Sequence, residues 1–382
     1  SEMCIRDSSK SSHRLIMEFN INKNNLVEPA LLASNVSEKR QSIPILSNVL
    51  ISAAKNSIKI TATDLEIEYK TTIEGVEVKK EGEVTVSARK LADLVRSIPE
   101  DTKLNFCLID NQIEIKALKF QADLATLPAS DFPSIDSADF SSSIKISSSA
   151  LADMIGSTSV AMAAQDVRYY LNGCLLETKG NALCVVSTDG HRLAFTKTSI
   201  EGLKEDFRVI VPRKAVMELQ KIISANDEEI TLNVSQNQIN VVGSVFSFTS
   251  KLIEGNYPDY EKVFPVGDES KLIVDKNELN TALSRASVLS NEKYRGIRLS
   301  LNKDLLKIEA NNPEKESAEE EIKVDYSGPE LEIGFNISYL QESLTTIKDL
   351  SAEIVFFGQE SSCIVKNKEN EDLIHVIMPM RL

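Results

Sequence analysis

The sequence contains no tryptophan, and aromatic residues make up only 5% of it. This disfavours a surface on which the bases of single-stranded nucleic acid stack. No apolar run approaches the ~18 residues that a membrane span needs, so no membrane partner is expected. The five cysteines, Cys4, Cys107, Cys174, Cys184 and Cys363, form no CxxC pair and share no regular spacing. An odd, scattered set argues against a disulfide framework or a zinc site and fits a reducing cytoplasm. The thiols read as small core residues, and no metal or cofactor is implied.

What is present is an ordinary soluble composition, 42% hydrophobic and 26% charged over 382 residues, enough for two or three domains. The net charge of −14 argues against nucleic acid unless the cations are gathered locally. The first sixteen residues, SEMCIRDSSKSSHRLI, are Ser-rich, lack periodicity and lack the apolar core of a signal peptide. Residues 1–16 are expected to be a non-native leader, with the patterned chain starting at Met17.

The chain repeats itself three times. Residues 22–39, 147–165 and 275–293 each start with a capping-type residue and carry apolar positions at three- and four-residue spacing, which predicts three helices. Short apolar strands follow at 46–51, 171–176 and 294–299. Asn48 and Gly173 are 125 residues apart, Gly173 and Gly296 are 123. Second strands (57–67, 182–193, 305–315) and second helices (87–98, 212–223, 336–347) come next. Each copy closes on strands alternating at period two, such as 103–116, 229–242 and 352–365. The fold class is α+β, three similar domains with two helices and antiparallel sheets each. The expected boundaries are 17–136, 145–260 and 261–382.

The stretch STDGHRLAF (187–195) gathers a hydroxyl, a carboxylate and an imidazole. An enzymatic reading would use Ser187, Asp189 and His191. Against it, Thr188-Asp189 falls where the first copy has Thr63-Asp64 and the third has Asn311-Asn312. Recurrence at one strand end points to side chains that bond their own backbone and reverse the chain. Neighbours on a turn do not make a catalytic triad.

With the copies aligned, QDVRYYLNG (165–173), STDGHRLA (187–194), IVPRKAV (210–216), FTSKLIEGNYPDY (248–260), LSNEKYRGIRL (289–299), ANNPEKESAEE (310–320) and IMPMRL (377–382) resemble the bacterial DNA polymerase III beta subunit, the sliding clamp family. The resemblance covers 17–382. It implies a non-catalytic processivity factor: a head-to-tail homodimer ring of six domains, with helices lining a hole through which duplex DNA passes without sequence specificity. A diffuse phosphate attraction permits sliding, and an acidic exterior discourages adhesion from outside. Lining candidates on or beside the helices are Arg40, Arg89, Lys90, Arg96, Arg168, Arg213, Lys214, Arg285, Lys293, Arg295 and Arg298, and the resemblance adds Gln165 and Tyr169.

The tail HVIMPMRL clusters apolar side chains at a chain end, and methionine suits a site that must accept several partners. Read alone, the tail fits either an interaction surface or a last strand in the core. The resemblance implies a hydrophobic pocket for short peptides from the polymerase alpha subunit, the clamp loader, other polymerases, mismatch-repair proteins and ligase. Its matching residues are Leu171, Thr188, Gly190, His191, Arg192, Leu193, Pro258, Lys262, Val263, Tyr294, Asn336, Tyr339, Val376, Ile377, Met378, Pro379, Met380 and Arg381. Lys262 stands where the family often has Arg, and Tyr294 where Phe is common.

For the ring contact the resemblance implies Lys90, Lys119 and Leu124 of the first copy against Val288, Leu289, Glu314, Glu316, Glu319 and Glu320 of the third. Ala122 stands where some members carry Phe and Ser317 where some carry Glu, and both changes thin the contact. Exposed ion pairs add only about 0–1 kcal/mol each, so a dimer weaker than that of some relatives is expected. A scaffold that binds peptides but not DNA is the remaining alternative.

Overall fold

The computed structural model describes residues 14–37, 43–203, 205–224, 227–369 and 371–381. Among them are six α-helices: α1 (Lys23–Val36), α2 (Ala88–Ser97), α3 (Ser148–Thr158), α4 (Arg213–Ser224), α5 (Lys276–Ser287) and α6 (Ile337–Thr346). Each copy contributes two, which pack as α1 with α2, α3 with α4 and α5 with α6. Capping explains where five of them start. The side chains of Asn22, Ser87, Ser147, Asp275 and Asn336 accept from backbone N–H groups of the first turn, which otherwise lack partners.

Two first helices are shorter than the periodicity predicts. In the middle copy, helix stops at Thr158, whose hydroxyl bonds back to the Met154 carbonyl at 2.8 Å. Ala161, Met162 and Ala163 are then buried in succession, a demand that no single helix face meets. In the third copy α5 stops at Ser287, and Ser290 and Asn291 bond to nearby backbone instead of extending it. Leu15 and Ile16, within the expected leader, extend the strand Leu15–Asn22, with Leu15 opposite Ile109. Residues 1–13 lie outside the described residues.

The chain forms two compact units, Ser1–Ala138 with Asn240–Ser250 and Asp139–Ile239 with Lys251–Leu382. In the first, Ile67–Glu74 pairs antiparallel with Ser57–Thr63 on one side and with residues 246–250 on the other. In the second, strands of the middle and third copies share one nine-stranded sheet, joined where Arg192–Ser199 lies beside Leu373–Ile377. The third copy also has a four-stranded sheet, which its two helices cover through Leu283, Leu340, Ile297 and Phe335. A separate apolar cluster, including Leu171, Leu193, Tyr257, Tyr260 and Val376, sits at the join. Cys174, Cys184 and Cys363 are buried, and burial pushes the Cys174 thiol up to about 11.

Candidate peptide-binding site

The site begins with the turn between Ala182–Thr188 and Arg192–Ser199. Thr188 Oγ1 donates to the Arg192 carbonyl at 2.6 Å and accepts from the Gly190 N–H at 3.1 Å. Asp189 Oδ1 accepts from the N–H groups of His191 (2.9 Å) and Arg192 (3.1 Å), and its other oxygen accepts from Arg192 Nε at 3.1 Å. The carboxylate is thus consumed by the turn. Ser187 is fully buried, so the enzymatic trio has neither an available base-orienting carboxylate nor an exposed hydroxyl.

Arg192 is fixed from three sides. It pairs with Asp189, with Glu342 on α6, and lies over the Tyr339 ring with 4.3 Å to the centroid. Burial raises the Tyr339 phenol, reinforced by the nearby Asp189 charge and opposed by Arg192. These groups line a cavity of about 660 Å³ that also includes His191, Met162, Met217 and Arg213. Arg168 lines it as well. Its guanidinium bonds Asp166, holding that carboxyl at about 2, and donates to the Asp189 carbonyl at 3.2 Å.

The tail reaches this turn. Leu373–Ile377 pairs with Arg192–Ser199, and the Met378 N–H donates to the His191 carbonyl at 3.0 Å. Val376 and Ile377 are buried strand residues, while Met378 is 40% exposed; the Met380 N–H donates to the Gly334 carbonyl at 2.8 Å. The tail therefore divides, its strand part tucked into the core and its end partly exposed. Pro258 and Lys262 are exposed and Val263 half-buried, on a connector held by buried Glu177. Glu177 bonds Tyr260 and pairs with Arg208 and Lys179, while Lys262 pairs locally with Asp259. Leu171 and Leu193 are 1% exposed and belong to the buried apolar cluster at the join, Asn336 caps α6, and Tyr294 is exposed with Lys293 over its ring. Arg381 is exposed.

Sequence reasoning missed Met162, Met217 and Glu342 as lining. The methionines were legible as adaptable side chains in two segments, but only the fold brings those segments together. It also assigned Arg168 and Arg213 to DNA alone, whereas both line the cavity.

Of the other nucleic-acid candidates, Arg89, Lys90 and Arg96 are exposed on α2, where Asp93 pairs with both arginines, and Lys214 is exposed on α4. Gln165 and Tyr169 are exposed, Gln165 in a left-handed conformation at φ 58°. Arg40 lies outside the described residues. Arg285 is bound by both oxygens of Glu320, so a lining candidate and a ring-contact candidate satisfy each other. Arg295, at φ 51°, accepts the Ile337 N–H on its carbonyl. Arg298 is corrected. It leaves its strand on the face opposite the helix-covered Ile297 and Leu299 and pairs with Glu332, so a path along the helices does not meet it.

Among the ring-contact candidates, Lys90, Lys119 and Val288 are exposed and Leu289 half-buried. Leu124 is 9% exposed and mostly spent on its own core. Glu314 and Glu316 are exposed, Glu316 bonding Asn312, and Glu319 pairs with Lys307.

The chain matches the DNA polymerase III beta subunit N-terminal domain over residues 17–136, the central domain over 145–259 and the C-terminal domain over 261–381. It is 43% identical to the beta sliding clamp of Pseudomonas aeruginosa and 38% identical to that of Escherichia coli, in each case over 96% of this chain and all of the relative. A crystal structure of the P. aeruginosa clamp bound to griselimycin superimposes with a TM-score of 0.90 at 43% identity, over 96% of this chain and all of that one. A C. crescentus beta sliding clamp gives 0.89 at 32% identity, over 96% of this chain and 99% of that one. With the repeat, the turn and the tail in the same order along the whole matched length, this chain belongs to the DNA polymerase III beta subunit family, the beta sliding clamps.

Proposed function

We propose that the chain is a non-catalytic processivity factor that closes head to tail as a homodimer around duplex DNA, with 17–136, 145–260 and 261–382 as its domains. The cavity at the Thr188–Arg192 turn takes short peptides of the replicative polymerase, the clamp loader and repair proteins. The observation that carries the reading is the meeting of Arg192, Tyr339, His191 and the tail in one place. There apolar side chains adjoin fixed cations and adaptable methionines, a combination suited to varied linear peptides with acidic side chains and free backbone carbonyls. Exposed Arg89, Lys90 and Arg96 on α2 and Arg213 and Lys214 on α4 supply sequence-independent phosphate attraction despite the net negative charge. No helix among the described residues is long and apolar enough to cross a membrane, and a cytoplasmic site of action fits the unpaired thiols.

The test is retention by topology. The protein is loaded on a nicked circular plasmid with a clamp loader, the complex isolated by gel filtration, and the circle cut once. Release on cutting is expected. Retention on the linear product would mean direct adhesion and sink the sliding mechanism. Failure to load would favour a peptide scaffold.

A further inference from the structure

The middle copy leaves open a strand edge that the other two copies cover. In the first copy the segment between Ile67–Glu74 and Gly82–Ser87 forms the strand Glu77–Lys80. It lies antiparallel along the opening strand Leu15–Asn22, with Asn20 opposite Glu77 and Glu18 opposite Lys80. In the third copy the segment between Ser317–Lys323 and Leu331–Asn336 does the same for Ser270–Asp275, with Ile273 opposite Asp325. The matching strand of the middle copy, Ser142–Ser147, pairs with Glu229–Val234 on one side and ends its sheet on the other. Its counterpart segment, residues 200–207, has comparable length, but no described residue of it belongs to a strand. Two features take it elsewhere. Ile200 is buried and its N–H donates to the Asn181 carbonyl at 2.8 Å, and Gly202 turns the chain at φ 72°. The segment then meets the strand only at its first residue, where Ser142 Oγ donates to the Glu205 carbonyl at 2.8 Å.

Beside the open edge is a groove of about 1080 Å³. Buried Ile144, Ile146 and Ile200 line it, with exposed Glu201, Asp227 and Glu229, and Lys145 is the one cation of its lining. Lys145 is already paired with Glu229 at 2.8 Å, so the groove is net negative. The backbone of the edge is set for a further strand. The Ser148 N–H donates to the Glu228 carbonyl at 2.8 Å. The alternation of an antiparallel ladder then sends the bonds of Ile146 and Ile144 to Glu229–Val234 and points those of Lys145 and Ser143 outward. Lys145 stands two residues before a helix-capping residue, as Asn20 and Ile273 do, and those two meet a covering strand. We propose that this edge accepts an extended segment of a partner protein as an added strand, one that alternates apolar with basic residues. Backbone bonds to Ser143 and Lys145 hold it, apolar side chains share the face of Ile144 and Ile146, and basic ones answer the carboxylates. The occupant is not a second copy meeting through the same edge, because that would set the two acidic rims together, and a lysine in mid-edge discourages such pairing. The inference stands apart from both the ring and the cavity at the Thr188–Arg192 turn.

Fluorescence polarisation with the full chain tests this, using a labelled, acetylated peptide of sequence Lys-Val-Arg-Val-Lys-Val-Thr and its acidic counterpart Glu-Val-Asp-Val-Glu-Val-Thr. The basic probe should bind at least tenfold more tightly than the acidic one, and hydrogen exchange should show the amides of Ser143 and Lys145 gaining protection when it binds. Ser143→Pro removes an outward N–H without touching the ladder to Glu229–Val234, and proline is tolerated at a sheet edge. It should weaken the basic probe at least tenfold, whereas Ser143→Ala, which keeps the N–H, should not. Should Ser143→Pro lower the melting temperature, the double variant Glu201→Lys with Asp227→Lys decides the matter, since it leaves the strand intact and should also weaken the basic probe at least tenfold. No binding of the basic probe, binding that spares the amides of residues 142–147 from protection, or equal binding by the charge-reversed variant would each overturn the proposal.

Discussion

In the first copy, Thr63 Oγ1 donates to the Ile67 carbonyl at 2.7 Å and accepts the Leu65 N–H at 3.0 Å, while Asp64 Oδ1 accepts from Glu66 and Ile67 at 2.9 and 2.8 Å. The middle copy makes the same four bonds from Thr188 and Asp189. What differs is carried on that frame. Leu65, Glu66 and Ile67 occupy the places of Gly190, His191 and Arg192. Ile67 is 1% exposed and belongs to the core, whereas Arg192 is drawn out to Asp189, Glu342 and Tyr339. The adjoining strands differ too, with Phe248 opposite Tyr69 in one unit and His375 opposite Ala194 in the other. On an unchanged turn, the exchange of side chains gives a core residue in one copy and a cavity-lining cation in the other. The third copy widens the loop, with Asn312 Oδ1 accepting the N–H of Glu316 four residues on.

The adjoining strands offer the largest way to sharpen this contrast. His375 is buried and bonded to Thr346, and burial, with a smaller push from the Arg192 cation, depresses its imidazole from 6.5 to about 3. The folded value lies below the unfolded one, so the unfolded chain takes up the proton first as acid is added. The contribution is complete above about pH 6.5 and lost as pH falls towards 3, amounting to about 2–3 kcal/mol by pH 4.5. Hydrogen exchange should show the Arg192–Ser199 and Leu373–Ile377 strands losing protection between pH 7 and 4.5 by more than Ile67–Glu74 and its partner. His375→Phe should abolish the difference. Equal losses in both regions would break the comparison.

Next in size is Arg192→Ala. Charge-assisted bonds of this kind contribute about 1.5–3 kcal/mol, so affinity for a fluorescent clamp-binding peptide should fall roughly 10- to 100-fold by polarisation. Ile67→Ala in the other turn should lower stability in urea and leave peptide affinity unchanged. Loss of binding from the Ile67 variant would mean that the two turns are not functionally distinct.

The α+β class, the three copies and the turn chemistry were legible because they depend on local signals: capping residues, period-two strands, and Thr-Asp at a strand end. Helix ends at 158 and 287 were not, since burial of Ala161 to Ala163 and backbone bonding by Ser290 override the apolar spacing. The site was half legible. Arg192 and His191 stand in a quotable motif, but Glu342 and Met217 reach the cavity only through packing. Arg285 and Glu320 look like parts of two separate surfaces, and no spacing along the chain reveals that they pair.

The smallest effect concerns Gly190. At φ +90° it has the left-handed geometry that favours glycine, yet Leu65 holds the matching position at φ +75°, so the turn alone does not require it. What the middle copy adds is Arg168, whose guanidinium nitrogens would lie 3.0 and 3.1 Å from a Cβ at 190. Gly190→Ala should therefore cost about 1 kcal/mol through its backbone and, separately, push the Arg168 guanidinium away from the Asp189 carbonyl. In the Arg168→Ala background only the backbone part should remain, giving a non-additive double-mutant cycle in peptide affinity. Leu65→Gly, which meets no guanidinium, should leave peptide affinity untouched. Additive Gly190 and Arg168 effects would show that the glycine serves the turn alone, and the two turns would then differ only in the side chains at 191 and 192.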